Sequence, residues 1–247
     1  MSDIAEKLTT IAENQQKIYD KGKSDEQLEN WNNMTKDGIG AYCFSGSIWN
    51  DVTFNPKSNI VPTSCSWFFS LNNVTDLTAI LDTNGVILDT SNAENMTYSF
   101  YGCPSLITVP TIDYSKVNAL GRMTYSLSGC PELEHIEKII FPDEYATSTA
   151  TSPTILADLP KLYTIGEIQG KIKFNLDMSK STVISESAMA FICEHLYDFT
   201  QNDTGFVNKL TIKFTADRWT FLEAMVAPPE SFTSWKTYVE SLGWLVG

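Results

Sequence analysis

The chain has 247 residues, 43% hydrophobic and 12% aromatic, so it can bury a substantial core. Its formal net charge of −13 disfavours contact with phosphate backbones and anionic membrane surfaces. It has neither a run of about 18 apolar residues, which a membrane span requires, nor the basic-then-apolar start of a secretory signal peptide. We therefore expect neither a nucleic acid nor a membrane as partner.

Residues 1–30 predict an N-terminal oligomerisation helix. The residues at alternating steps of four and three, the a/d pattern of a coiled coil, are Ile4, Leu8, Ile11, Gln15 and Ile18. A seam of about two heptads is marginal alone and needs partner chains, so we expect a homo-oligomer, with a trimer favoured. The alternative is an amphipathic helix packed on its own domain. The polar, glycine-punctuated residues 31–65 are expected to form a linker and an N-terminal cap.

Internal repetition is the strongest pattern in the chain. Residues 96–106 read MTYSFYGCPSL and residues 123–133 read MTYSLSGCPEL. The closing leucines of four such units, at steps of 29, 27 and 29 residues, are Leu77, Leu106, Leu133 and Leu162. Three residues after each leucine stand Ile80, Val109, Ile136 and Ile165. A single unit cannot bury its apolar face alone, so residues 66–175 predict an α/β repeat solenoid, in which neighbouring units stack to form a continuous core.

The five cysteines include no C-x-x-C pair, so the sequence indicates neither a zinc ribbon nor a redox motif. Cys103 and Cys130 stand three residues before their closing leucines, where other units carry Val74 and Leu159. We therefore expect both thiols to be reduced and buried in the repeat core. No cofactor or metal is expected.

Residues 176–247 predict a C-terminal α/β cap, which a solenoid needs to cover the open end of its core. Ser185 and Thr215 are expected to cap two helices, and a third helix should end at Gly243. Leu210, Ile212 and Phe214 alternate as in a strand, while Ile172 and Phe174 suggest the last strand of the repeats.

The repeat frame L-x-x-I/V-x-x-I, which starts at each closing leucine and has an aromatic-x-x-C-x-x-L lead-in, resembles the cysteine-containing, BspA-like class of leucine-rich repeats. The wider organisation is similar to leucine-rich proteins encoded in phages and prophages of gut Firmicutes. Those begin with a helix like IAEKLTTIAENQQKIYDKGKSDE, continue through a segment like WNDVTFNPKSNIVPT and end in a GW-type motif, here Gly243–Trp244. The resemblance implies a tail fibre or baseplate-associated protein of a virion, assembled in the bacterial cytoplasm and docked on other phage structural proteins through its N-terminal helix.

The expected function is therefore non-enzymatic recognition of a bacterial surface glycan or protein. No G-x-S-x-G, Walker A or G-x-G-x-x-G motif points to catalysis. The alternatives are a bacterial leucine-rich adhesion or scaffolding module and a capsid or neck decoration protein. Candidate recognition residues, one beside the repeat frame and three in a polar insertion at residues 141–152, are Tyr101, Asp143, Glu144 and Tyr145. Trp67 and Tyr98 are expected in the core and His135 in solvent.

Overall fold

The computed structural model describes residues 64–67, 70, 90–117, 119–144, 154–201 and 210–247. The expected N-terminal helix with its seam, most of the linker, and Leu77, Ile80 and Tyr145 lie outside the described residues. In the part of the chain that is described, no helix has the length and apolarity needed to cross a membrane.

The core of the described repeats is a parallel sheet with strand order β1-β2-β3, formed by Thr108–Asp113, His135–Ile140 and Thr164–Gln169. Thr108 pairs with His135 and His135 with Thr164, so consecutive strands are offset by 27 and 29 residues. These offsets equal the last two steps between the closing leucines. Equivalent residues of successive units therefore lie side by side.

The same apolar positions of each unit fill the interior. Each described frame residue is at most 3% exposed, namely Leu106, Leu133, Leu162, Val109, Ile136, Ile165, Ile112, Ile139 and Ile168. Cys103 and Cys130 are fully buried free thiols in the same interior. The Cys130 thiol donates to the Phe100 carbonyl over 3.1 Å. A hydrogen bond with Cys103 lowers the pKa of Cys130, against the opposing effect of burial.

The repeated M-T-Y-S segment forms a turn whose first and last side chains point inwards. Met96 and Ser99 are fully buried, and the Ser99 hydroxyl donates to the carbonyls of Met96 and Cys65 over 2.7 and 2.8 Å. In the next unit the buried Ser126 hydroxyl bonds to the Tyr114 hydroxyl over 2.8 Å. Each buried serine thus has a hydrogen-bond partner, which removes the cost of burying a hydroxyl.

Beyond β3 the structure differs from the sequence prediction. Ile172 and Phe174 are buried but form no strand; Ile172 makes only an isolated bridge to Leu196. The next strand is β4, Leu176–Asp177. Phe174 instead packs edge-on against Phe141, which stacks on Tyr114. An aromatic row inside the core therefore replaces regular strand pairing here.

The described residues that follow include three α-helices, α1 over Glu186–Glu194, α2 over Ala216–Met225 and α3 over Trp235–Ser241. The predicted caps are confirmed: the Ser185 side chain accepts from the Ala188 amide and the Thr215 side chain from the Arg218 amide. Such a cap satisfies an amide that has no partner within the helix. Helix α1 packs against both β3 and α2.

A second parallel sheet, of order β4-β5-β6, adds Thr211–Lys213 as β5 and Leu245–Val246 as β6. The predicted strand around Ile212 is thereby confirmed. Three tryptophans of this region are buried, and each indole N–H donates to a backbone carbonyl. The pairs are Trp219 with Gly247 at 3.2 Å, Trp235 with Val226 at 2.8 Å and Trp244 with Tyr197 at 2.8 Å. The Gly243–Trp244 motif thus has a packing role, with Gly243 at φ +89°.

Replacing Gly170 by alanine should lower the free energy of unfolding by at least about 2 kcal/mol. Gly170 has φ +74°, and an added Cβ would lie 1.9 Å from the Phe141 carbonyl oxygen. Gly121→Ala is the matched control, because an added Cβ there meets nothing within 4 Å. Thermal and urea unfolding should place Gly121→Ala within about 1 kcal/mol of the wild type. Equal stability of the two variants would contradict the described packing after β3.

Cys103, Cys130 and Cys193 should resist a thiol reagent in the native protein. All three are fully buried, and burial raises the pKa of Cys193. Only a thiolate that the reagent can reach reacts. Site-resolved mass spectrometry after iodoacetamide treatment should show labelling slower than in urea by on the order of 100-fold. Rapid native labelling of Cys103 and Cys130 together would contradict the repeat register.

Candidate functional site

A ladder of aromatic side chains lies on the surface of the repeats, in the turns that precede the frame residues. Trp67 stacks on Tyr98 with ring centroids 4.1 Å apart, and Tyr98 stacks on Tyr125 at 5.0 Å. All three rings are partly exposed, and Tyr125 is the most exposed at 36%. We call these three residues, with Tyr101, the aromatic ladder.

Backbone hydrogen bonds between successive units set the ladder spacing. The Trp67 amide donates to the Thr97 carbonyl, and the Tyr98 amide to the Thr124 carbonyl, both over 2.9 Å. Equivalent turns are thereby held one above the other, as strands are in a parallel sheet. The rings stack because the backbones that carry them are in register.

The backbone at each ladder turn is left-handed. Trp67, Tyr98 and Tyr125 have φ of 57°, 56° and 57°. Bulky residues are rare in this region, where the Cβ comes close to the following carbonyl oxygen. The same conformation recurs in three successive units. Backbone strain of this kind is often found at functional sites.

Tyr101 completes the ladder from the side. Its ring meets Tyr98 edge-on at a centroid distance of 5.2 Å and Tyr125 at 5.8 Å. Gly129 lies beside the Tyr101 ring, and its φ of +71° is the left-handed conformation that favours glycine. Tyr101 is partly exposed. The structure thus places Tyr101, a candidate recognition residue, against Tyr125, which the sequence analysis did not identify.

The ladder corrects one sequence prediction. Trp67 and Tyr98 were expected in the core, but both are partly exposed. The left-handed turn directs these side chains outwards, while Met96 and Ser99 on either side of Tyr98 fill the interior. The identical M-T-Y-S in two units could have predicted that Tyr98 stacks on Tyr125, since a residue repeated in register lies beside its own copy, but it carries no signal of exposure.

Two of the other candidate recognition residues lie in a second region. Asp143 and Glu144 are exposed and line an open depression of about 500 Å³, together with Ser115, Phe141, Gln169 and Gly170. The depression lies beyond the carboxyl ends of β1, β2 and β3. It is separate from the aromatic ladder, so the structure does not bring Tyr101 together with Asp143 and Glu144.

The outer face of the sheet carries rows of polar residues. Lys138 forms an ion pair with Glu167 at 3.2 Å. Hydrogen bonds from Lys138 and from Gln169 lower the pKa of Glu167. His135 was expected in solvent but is only partly exposed, and its ring nitrogen Nδ1 is hydrogen-bonded to the Thr164 hydroxyl. The parallel register explains this contact, because it places Thr164 beside His135.

Among the described residues, no group of histidine, cysteine and carboxylate side chains is arranged to hold a metal ion. The arrangement most suited to binding is therefore the aromatic ladder, which presents partly exposed, rigidly held rings. Comparison with protein-family models, with curated proteins and with solved structures finds no match to this chain.

Proposed function

We propose that the chain is a non-enzymatic receptor-binding and structural component of a phage tail, fibre or baseplate-associated. In this proposal residues 66–175 form a leucine-rich-type solenoid that recognises a bacterial surface, and residues 176–247 close its end. The aromatic ladder is the observation that supports a binding role. Exposed aromatic residues supply large contact areas, and few other surface features do so at such low cost in conformational entropy.

The ladder suits recognition because its rings are held before any ligand arrives. Tyr125 contacts Tyr98 on one face and the edge of Tyr101, so its side chain is already ordered. A ligand would therefore lose little affinity to side-chain immobilisation. A ladder needed for stability alone could bury its rings, as Tyr114, Phe141 and Phe174 do.

The virion context rests on the sequence resemblance alone. It implies that the N-terminal helix docks on other phage structural proteins and that the protein is assembled in the bacterial cytoplasm. A bacterial leucine-rich adhesion or scaffolding module would use the same surface, so it is the second candidate. Neighbouring genes separate the two: tail and baseplate genes favour the first, and surface-anchoring genes the second.

Replacing Tyr125 by glycine should lower binding to cells by about tenfold while leaving the fold intact. Glycine adopts the left-handed backbone of position 125 without strain, which offsets the loss of ring stacking. The matched control is Tyr163→Ser, because Tyr163 is 57% exposed and lies outside the ladder. Fluorescently labelled protein on a panel of gut Firmicutes cells gives the readout. Failure of the wild-type chain to bind any of these cells would contradict the proposed function.

We also propose a homotrimer formed through Ile4, Leu8, Ile11, Gln15 and Ile18. The double variant Leu8→Asp with Ile11→Asp should dissociate it, because charged groups are costly in a coiled-coil seam. Thr9→Asp is the control, since position 9 lies outside the seam. Multi-angle light scattering should give a trimer for the wild type and the control, and a monomer for the double variant. A monomeric wild type at micromolar concentration would show that the helix does not oligomerise by itself.

A further inference from the structure

We infer that the outer face of Tyr125 is a stacking platform for one ring of a neutral saccharide. This inference rests on the proposed function and names the ligand class that the aromatic ladder would take. A pyranose ring presents a row of C–H groups on one face, which pack on an aromatic ring, and hydroxyls at its rim, which a tyrosine hydroxyl can bond.

Among the described residues no ladder ring follows Tyr125, so one of its faces is not stacked on another ring of the ladder. The Gly129 amide donates to the Ala157 carbonyl, so Gly129 aligns with Asp158, and both are left-handed. Four residues earlier, Tyr125 aligns with Thr154, so no aromatic side chain stands at the equivalent position of the next unit. Tyr98 is stacked on both sides, by Trp67 and by Tyr125, and offers no such face.

Tyr101 borders the stacking face of Tyr125 on one side. Its ring stands nearly perpendicular to Tyr125, at an interplanar angle of 74°. A flat ligand on Tyr125 would therefore stack on one ring with the edge of Tyr101 nearby. One ring face bordered by Tyr101 has room for a single sugar ring of a chain or branch, whereas a longer oligosaccharide would need an extended groove.

The charges around the ladder favour a neutral ligand. Residues 95–103 and 123–130, which carry Tyr98, Tyr101 and Tyr125, contain no charged side chain. Of the flanking residues, Arg122 pairs with Glu94 at 3.8 Å, so their charges offset each other. The net charge of −13 repels polyanions such as poly(glycerol phosphate). An uncharged saccharide avoids this repulsion and leaves no buried charge unpaired.

The strained backbone is a further argument. Glycine occupies other left-handed positions of the same units, at residues 102 and 129, whereas the ladder positions carry Trp or Tyr. Folding alone would favour glycine or asparagine there. An aromatic ring kept at a strained and exposed position is better explained by a contact with a ligand.

Saturation-transfer difference NMR on the full-length protein tests the inference directly. The probes are neutral mono- and oligosaccharides of glucose, galactose, mannose, rhamnose, N-acetylglucosamine and N-acetylgalactosamine, with poly(glycerol phosphate) as the anionic comparison. We expect at least one neutral saccharide to bind, with a Kd of about 1 mM or tighter. Tyr125→Gly should weaken that binding by about tenfold or more, whereas Tyr125→Phe and Tyr163→Ser should retain most of it.

Three results would overturn the inference: no neutral saccharide binds, Tyr125→Gly binds as the wild type does, or the polyanion is preferred. Treating cells with periodate, which cleaves vicinal diols of sugars, or with protease separates the inference from the proposed function. Binding that needs Tyr125 and is lost after periodate supports both. Binding that needs Tyr125 but is lost only after protease keeps the proposed function and rejects the saccharide.

Discussion

The parallel pairing of equivalent residues is the interaction on which the described repeats depend. Val109, Ile136 and Ile165 lie side by side because β1, β2 and β3 pair at the same offsets at which the sequence repeats. A shift of a strand by one residue would turn its buried residues to the outside. Backbone hydrogen bonds and burial of identical frame positions therefore favour the same register, and each supports the other.

That register also creates the aromatic ladder. Once turns are aligned, a tyrosine at the same place in two units must stack on its copy, as Tyr98 and Tyr125 do. Stacking and the edge contact from Tyr101 offset part of the cost of a left-handed tyrosine. The outcome is a rigid ring at the end of the row that is still 36% exposed. Recognition, as proposed, would use a surface that the stacking itself builds.

The C-terminal region meets a different requirement, since no repeat frame continues there. Buried tryptophans replace the frame, and their N–H groups must be paired inside the protein. Trp219, Trp235 and Trp244 each find a carbonyl, and the Trp219 indole reaches the last residue, Gly247. Gly247 is thus held between α2 and β5. Strand β6, just before it, also pairs with β5.

The sequence by itself determined the frame positions from Leu106 to Ile168, their steps of 27 and 29 residues, and the caps at Ser185 and Thr215. Periodicity and capping can be read directly from the order of residues along the chain. It did not determine which aromatic residues would be exposed, since composition favours the core for any tryptophan or tyrosine. Only the tertiary structure put Trp67 and Tyr98 outside, in left-handed turns that hydrogen bonds between units align. It likewise replaced the strand expected at Ile172 with packing around Phe174. Contacts between residues distant in sequence decided both outcomes.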